Sequence, residues 1–306
     1  MSYSRSFRTK RGWCVLLIVG IGTAASGLSS GGLEIDFDRG QSMVGGPIPS
    51  IVDNDGRTYA PTVDEGTRVA AAPKIISTDC HSPPRCLRIS MAPTAKGAKK
   101  NKITYNFWSH HKDVPGGAAG RFQLDDGQVT VVSFAMKLDV LYETPIHNML
   151  HFQVSQVVKN NKRRVSKNII PGGPIISLSM VPKSKRKNKN KNFEEYVIAV
   201  RSPHAQNLVF FDMRDDTVLY RGIVRKGEWN NFSFNIEFET ISDFVGGSIK
   251  FRFNNVNVMK YDGEFGFSPT KFDVEKSLGI DLGIYRTADS TGSQTVYFDD
   301  IKIIRR

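Results

Sequence analysis

The sequence predicts an all-β protein, a jelly-roll sandwich of two antiparallel sheets. Three observations carry that expectation. Apolar side chains recur at every second residue along most of the chain, and helical periodicity is scarce. The alternating runs are bounded by Gly, Pro, Asn and Asp, which supply turns. So many strands at this density imply two packed sheets.

Strands are expected at residues 33–37, 86–91, 102–107, 120–123, 129–139, 148–156 and 175–181. They continue at 195–201, 208–211, 230–239, 248–253, 256–261, 279–285 and 295–303. The clearest alternation sets Phe232, Phe234, Ile236 and Phe238 against Asn231, Ser233, Asn235 and Glu237. Residues 251–258 read as a hairpin with Asn254-Asn255 at its turn. Residues 40–73 are rich in Gly and Pro and weakly patterned, so an irregular wrap is expected there. No internal repeat and no domain boundary interrupts residues 27–306, which are expected to form one domain.

Residues 1–26 have the organisation of a secretory signal. Lys10 and Arg11 form a basic stretch, residues 13–21 are apolar, and Thr23, Ala24 and Ala25 supply small residues for cleavage near Ala25. The apolar run is too short to span a bilayer comfortably, so no stable membrane insertion is expected after cleavage. An extracellular, secreted protein is the expectation. Cysteine usage agrees: with Cys14 removed, Cys80 and Cys86 remain, flanking His-Ser-Pro-Pro-Arg in a tight loop that an oxidising compartment would close as a disulfide. A zinc site with His81 as third ligand lacks the paired ligand spacing such sites use. Asn231-Phe-Ser233 is an N-glycosylation sequon.

The formal charge of +12 is concentrated in two runs. Residues 183–191 hold five lysines and Arg186 interleaved with asparagine, and residues 159–167 hold a second cluster around Arg163 and Arg164. In a secreted protein such runs point to a polyanion, either an acidic polysaccharide or the outer face of a membrane or wall, and solvated loops between strands are the plain structural alternative. Nucleic acid is not the expected partner, because no recognition-helix pattern accompanies the charge.

Two strands carry candidate chemistry. In residues 278–286, Ile280, Leu282 and Ile284 share one face, and Asp281, Gly283 and Tyr285 share the other. The apolar face belongs in the core, so Tyr285 is presented on the polar face, with Gly283 leaving room beside it. A tyrosine so held can transfer a proton. In residues 149–156, Leu150, Phe152 and Val154 are expected inward, placing His151, Gln153 and Ser155 on a polar face that could bind a carboxylate and move a proton. Lys102, alternating with Thr104 and Asn106, is expected to line the same groove.

Residues 34–38, Glu-Ile-Asp-Phe-Asp, are similar to the E-x-D-x-E strand of laminarinase-like glucanases, in which two carboxylates share one strand face. Here the segment follows the signal directly, and its last acid is one methylene shorter. It reads better as the opening of an edge strand. Asp38 could join Asp299 and Asp300 in a structural calcium site. No other cofactor is expected.

Over roughly residues 131–303 the order of segments resembles polysaccharide lyases of the heparin lyase I and glucuronan lyase type. The segments are residues 131–137 (Val-Val-Ser-Phe-Ala-Met-Lys), 151–156 (His-Phe-Gln-Val-Ser-Gln), 174–179 (Pro-Ile-Ile-Ser-Leu-Ser) and 196–201 (Tyr-Val-Ile-Ala-Val-Arg). They continue at 227–232 (Gly-Glu-Trp-Asn-Asn-Phe), 247–254 (Gly-Ser-Ile-Lys-Phe-Arg-Phe-Asn), 283–286 (Gly-Ile-Tyr-Arg) and 296–300 (Val-Tyr-Phe-Asp-Asp).

The resemblance implies a concanavalin A-like jelly roll that cleaves a uronate polymer by β-elimination. Such an enzyme removes the proton at carbon 5, alpha to the carboxylate, and expels the 4-linked sugar. The family's cleft strand reads Gln-x-His, whereas this chain has Gln153-Val-Ser155 with a histidine two residues earlier, which leaves the base open. The roles implied are carboxylate binding by Gln153 with Arg286 or Arg201, proton removal by His151 or Tyr285, and protonation of the leaving oxygen by Tyr285. Ser155 and Lys102 would line the groove, the partner would be an acidic polysaccharide, and a monomer is expected. Two other readings stand beside this one. A non-catalytic carbohydrate-binding jelly roll would bind the polymer without shortening it. A glycoside hydrolase using Glu34 and Asp38 would leave a new reducing end and no double bond.

Overall fold

The alternation at residues 232–238 holds in three dimensions: Phe232, Phe234, Ile236 and Phe238 are all buried, on a strand in the interior of a sheet. In the computed structural model the chain forms β1 (Leu33–Ile35), β2 (Ile51–Val52), β3 (Thr58–Tyr59), β4 (Pro61–Val63), β5 (Val69–Ile76) and β6 (Cys86–Met91). Next come β7 (Lys100–Asn106), β8 (Phe122–Gln123), β9 (Val129–Leu138), β10 (Met149–Val158), β11 (Pro174–Met180) and β12 (Phe193–Arg201). The last are β13 (Asp216–Arg225), β14 (Trp229–Ile241), β15 (Phe244–Phe253), β16 (Val256–Phe267), β17 (Val274–Thr287) and β18 (Gln294–Arg305). The structure describes residues 33–35, 37, 50–53, 56, 58–59, 61–63, 69–93, 100–107, 122–123, 127, 129–147, 149–158, 174–201, 216–241, 244–267, 274–287 and 292–306.

Two antiparallel sheets account for nearly all of these strands. The first runs β16-β15-β14-β9-β18-β6-β5, with β1 also pairing β18. The second runs β13-β12-β11-β10-β17-β7-β4, with β8 also pairing β17. Successive strands cross between these two sheets at β4–β5, β6–β7, β8–β9, β9–β10, β13–β14, β16–β17 and β17–β18, so each sheet is completed by strands distant in sequence. This is the two-sheet jelly roll that the alternation predicts.

Between the sheets lies an aromatic layer. Phe134 of β9 stacks on Phe232 of β14 at 5.5 Å between ring centroids. From the second sheet, Phe152 stacks on Phe234 at 4.6 Å and Tyr196 meets Phe232 edge-on at 5.6 Å. Phe251 of β15 stacks on Phe234 at 4.8 Å. Aliphatic side chains of β6, β7, β11 and β17 close the layer on either side.

The Asn254-Asn255 hairpin turn forms as expected, with both residues at positive φ, 47° and 66°. Residues 40–73 depart from the expected irregular wrap by contributing β2, β3, β4 and the start of β5. β5 carries Pro73 within Ala-Ala-Ala-Pro, and that proline is tolerated because β5 is an edge strand. β13 has no counterpart in the expected strands. Its alternation is hidden by a register shift opposite Ile198 and Ala199, and the Tyr196 ring fills the space a Cβ at Gly222 would need. The strand expected at 208–211 lies outside the described residues, as does the signal segment. Among the described residues no helix is long and apolar enough to cross a membrane.

Phe234 sits in the middle of the aromatic layer, so Phe234→Ala should cost about 3–5 kcal/mol of unfolding free energy, read from denaturant titration.

Candidate functional site

β10 and β17 pair in the middle of the second sheet, flanked by β11 and β7. On the face turned away from the core, Tyr285 stands opposite Lys102 of β7, and Gln153 of β10 stands opposite Asp281 of β17. The Lys102 ammonium lies 5.5 Å from the centroid of the Tyr285 ring and 3.8 Å from Asp281 Oδ1. Asp281 also accepts hydrogen bonds from Thr104 Oγ1 at 3.4 Å and from Gln153 Nε2. The Gln153 carbonyl oxygen is buried with no hydrogen-bond partner among the described residues. Ser177 and Ser179 of β11 continue this polar face, and both are buried. Tyr285 is 6% exposed, so its phenol is reached only narrowly from solvent.

Gly283 serves the backbone and leaves no room for a ligand. Its φ is +151°, and a Cβ there would run into the Ile103 carbonyl and the Thr104 Cα of the adjoining strand.

His151 departs from the expected polar face, and the register gives the reason. Leu150 pairs Tyr285 and Phe152 pairs Leu282, so His151 alone spans two residues of β17. Toward β11, Leu150 pairs Ser179 and Phe152 pairs Leu178, which leaves His151 as an extra residue. The bulge also sets Leu150 off the inward side of the strand, where Met149 and Phe152 join the core cluster. His151 Nδ1 donates to the Gly283 carbonyl at 2.8 Å, so Nε2 is the acceptor and takes the Tyr142 hydroxyl proton at 3.0 Å. Burial holds the imidazole neutral and lowers its pKa to about 4, against the bond to Gly283, which raises it. Both ring nitrogens are therefore committed to the fold, and proton removal from a ligand does not fall to this residue.

Arg286 also differs from expectation. It is buried inward at the end of the sandwich, donating to the Gly292 carbonyl at 3.0 Å and to Gln294 Oε1 and the Ala92 carbonyl. Burial lowers its pKa to about 10, with Tyr142 acting in the opposite direction. This guanidinium ties strand ends together and does not reach a carboxylate on the polar face. Arg201 is buried and opposite Asp216 in register, and Ser155 is half-buried opposite Gly279. The structure thus brings together Tyr285, Lys102 and Gln153, and withdraws His151 and Arg286.

Cys80 and Cys86 form the disulfide, with Cα atoms 5.4 Å apart. Asp299 and Asp300, two of the three residues expected to bind calcium, anchor the disulfide loop. Asp299 accepts the Ser82 N–H at 3.0 Å, and Asp300 accepts Ser82 Oγ at 2.8 Å and faces His81 Nδ1 at 2.8 Å. These carboxylates are spent on the disulfide loop, while Asp38 lies outside the described residues. Among the described residues no group of three or more His, Cys, Asp or Glu could hold a metal ion. Burial raises the Asp299 pKa to about 6. Glu34 is exposed on the first sheet and pairs with Lys302 at 2.8 Å. The half-buried Asn231 amide lies 3.3 Å from His81 Nε2.

Sequence reasoning missed Tyr142 and the part played by Asp281. Tyr142 follows β9 in a loop, where no periodicity marks it. Asp281 shares the parity of Tyr285, so its place on the polar face was legible, but its hold on Gln153 was not.

No family model matches the sequence, and no curated protein matches it. Several solved structures are similar to it, among them polysaccharide lyases. The endo-β-1,4-glucuronan lyase of the fungus Trichoderma reesei is 10% identical, with a TM-score of 0.48 over 78% of this chain and 90% of that one. The PL7 alginate lyase AlyA1 of Zobellia galactanivorans is 11% identical, with a TM-score of 0.46 over 92% and 97%. The binding domain of Botulinum Neurotoxin DC in complex with SialylT is 8% identical, with a TM-score of 0.38 over 83% and 44%.

His151 yields a pH prediction. A base whose pKa falls from about 6.5 unfolded to about 4 folded stabilises the fold fully above pH 6.5. That contribution is lost as the pH falls from 6.5 through 4. From pH 7 to below 4 the wild type should lose about 3 kcal/mol more unfolding free energy than His151→Gln. Asp299 acts in the opposite sense, but it is common to both proteins and cancels in the difference. Denaturant titrations across this range provide the check.

Proposed function

We propose that the protein is a secreted polysaccharide lyase that binds a uronate-containing polymer on the outer face of the second sheet and cleaves it by β-elimination. The observation that carries this reading is the pairing of Tyr285 and Lys102 on one face, a proton-transfer group with a cation beside it. With His151 and Arg286 engaged elsewhere, the chemistry is assigned to this pair. The Tyr285 phenolate removes the proton at carbon 5 of the uronate, the bond from carbon 4 to the leaving oxygen breaks, and a double bond forms between carbons 4 and 5. The tyrosine then returns its proton to the leaving oxygen, so one residue serves as base and acid in turn. Lys102 offsets the charge that builds on the uronate carboxylate as the proton leaves. Ser155, Ser177 and Ser179 add hydroxyl donors along the same face. The Cys80–Cys86 bridge supports export, and with it cleavage near Ala25 and modification at Asn231.

A second reading is a carbohydrate-binding module without turnover, and Asp281 favours it. That carboxylate already holds the Gln153 amide and faces Lys102, the two groups a uronate carboxylate would need. The hydrolase reading would use Glu34, which is exposed on the other sheet and pairs with Lys302, and Asp38, which lies outside the described residues.

An ultraviolet assay for unsaturated uronate on a panel of polyuronates tests the proposal. The wild type should produce the chromophore, and Tyr285→Phe should lose at least about 100-fold in kcat while still binding polymer. Full activity in the variant would remove Tyr285 from its role. Binding without any chromophore in the wild type would select the module.

A further inference from the structure

Residues 181–192 join β11 to β12 and carry the alternation Lys187-Asn-Lys-Asn-Lys-Asn192 after Lys183, Lys185 and Arg186. The two parities do different work. Arg186 is buried; it donates to Thr144 Oγ1 at 2.8 Å and to the Phe193 carbonyl, and it faces Glu194 at 3.6 Å. The Asn188 N–H donates to buried Glu195, whose other oxygen takes Arg221 at 3.2 Å. Asn188 Oδ1 accepts the Asn190 N–H at 2.8 Å, and Asn190 Oδ1 accepts the Asn192 N–H at 3.0 Å. Each side chain at positions 186, 188 and 190 is therefore used to hold the loop in shape. Lys183, Lys185, Lys187, Lys189 and Lys191 are all exposed, and none pairs with a carboxylate among the described residues.

A run that only kept strands apart would need neither the buried arginine nor the two asparagine side-chain bonds. The two nearby acids, Glu194 and Glu195, are turned inward and matched by Arg186, Lys226 and Arg221. The hairpin exposes five ammonium groups on a loop held in shape by its own side chains, and residues 181–192 contain no acidic residue. It adjoins the end of the second sheet where Ser179 and Val197 pair, which belongs to the same outer face as Tyr285.

We infer that this hairpin is an accessory polyanion site that grips an acidic polysaccharide beyond the reacting sugar. The inference rests on the polymer reading above. Residues 181–192 contain no aromatic side chain on which a base could stack, which favours a polysaccharide over single-stranded nucleic acid. The loop also lacks the large apolar residues that seat an amphipathic segment in a membrane surface.

The test compares the full chain with two variants, one with all five lysines changed to Gln and one with all five changed to Arg. Affinity for polyglucuronate and for single-stranded DNA is measured by titration across a salt series. The proposal expects the Gln variant to bind polyglucuronate at least about tenfold more weakly with a shallower salt dependence, and the Arg variant to keep wild-type affinity. Unchanged binding in the Gln variant would overturn it. Tighter wild-type binding to DNA than to polyglucuronate would replace the polysaccharide by nucleic acid and overturn it equally. Thermal unfolding of the Gln variant should match the wild type, since these side chains are exposed. Because binding is read directly, a protein that never forms the double bond could still pass, so the two readings fail separately.

Discussion

The aromatic layer of Phe134, Phe152, Phe232, Phe234 and Phe251 decides which way every neighbouring strand faces. These rings come from both sheets, so the sandwich cannot close unless the strands carrying them present the same parity inward. A one-residue slip would turn the rings outward and replace them with Ser, Asn and Gln. The polar outer face of the second sheet follows from that constraint. Asp281, Tyr285, Gln153 and Lys102 meet there because Ile280, Leu282, Ile284, Phe152 and Ile103 must meet in the core.

The bulge at His151 is where the parity is broken. It carries a histidine from the outer face to the interior, where Gly283 and Tyr142 satisfy both ring nitrogens. The Tyr142 carbonyl in turn takes the Lys226 ammonium at 2.5 Å, and Lys226 and Arg186 both face Glu194. A buried ion pair contributes little unless its remaining donors find partners. Here Thr144 and the Phe193 carbonyl satisfy part of the cluster, while Arg186 Nε and Glu194 Oε2 are buried with no hydrogen-bond partner among the described residues. Lys137 repeats the pattern on the first sheet, packed between the Trp229 and Tyr297 rings at 4.9 and 4.5 Å and bound to Asp79 at 2.5 Å. These cations fasten loops to sheets. Among the described residues, the β11–β12 hairpin carries a concentrated group of exposed lysines.

What the sequence made legible follows the same division. Period-two alternation identified the sandwich, the Phe232–Phe238 face, the Asn254-Asn255 turn and the outward placement of Tyr285, because each depends on parity alone. His151 was misplaced because a bulge costs one residue of register and leaves no mark in the pattern of Leu150, Phe152 and Val154. Gly283 was misread because the need for glycine lay in the approach of β7, a strand far away in sequence. Arg286 and Arg186 looked like ligand-binding charges, and only the loops around them reveal their anchoring role. β13 escaped notice because Tyr196 took the place of a side chain at Gly222.

Asp281 is the residue on which binding and turnover diverge. It accepts from Gln153 and Thr104, so it completes the hydrogen bonding of a face that is otherwise rich in donors. Its ion pair with Lys102 spans 3.8 Å, and the same ammonium lies 5.5 Å from the centroid of the Tyr285 ring, so Lys102 stands between the carboxylate and the phenol ring. A uronate entering this face would bring a second negative charge next to Asp281, and repulsion between them would weaken ground-state binding. On the lyase reading, a substrate held weakly at this face would need affinity from elsewhere along the polymer. Among the described residues, the exposed lysines of the adjoining hairpin are suited to supply it, and on the proposed reading the Tyr285–Lys102 pair and that hairpin would act on one polymer.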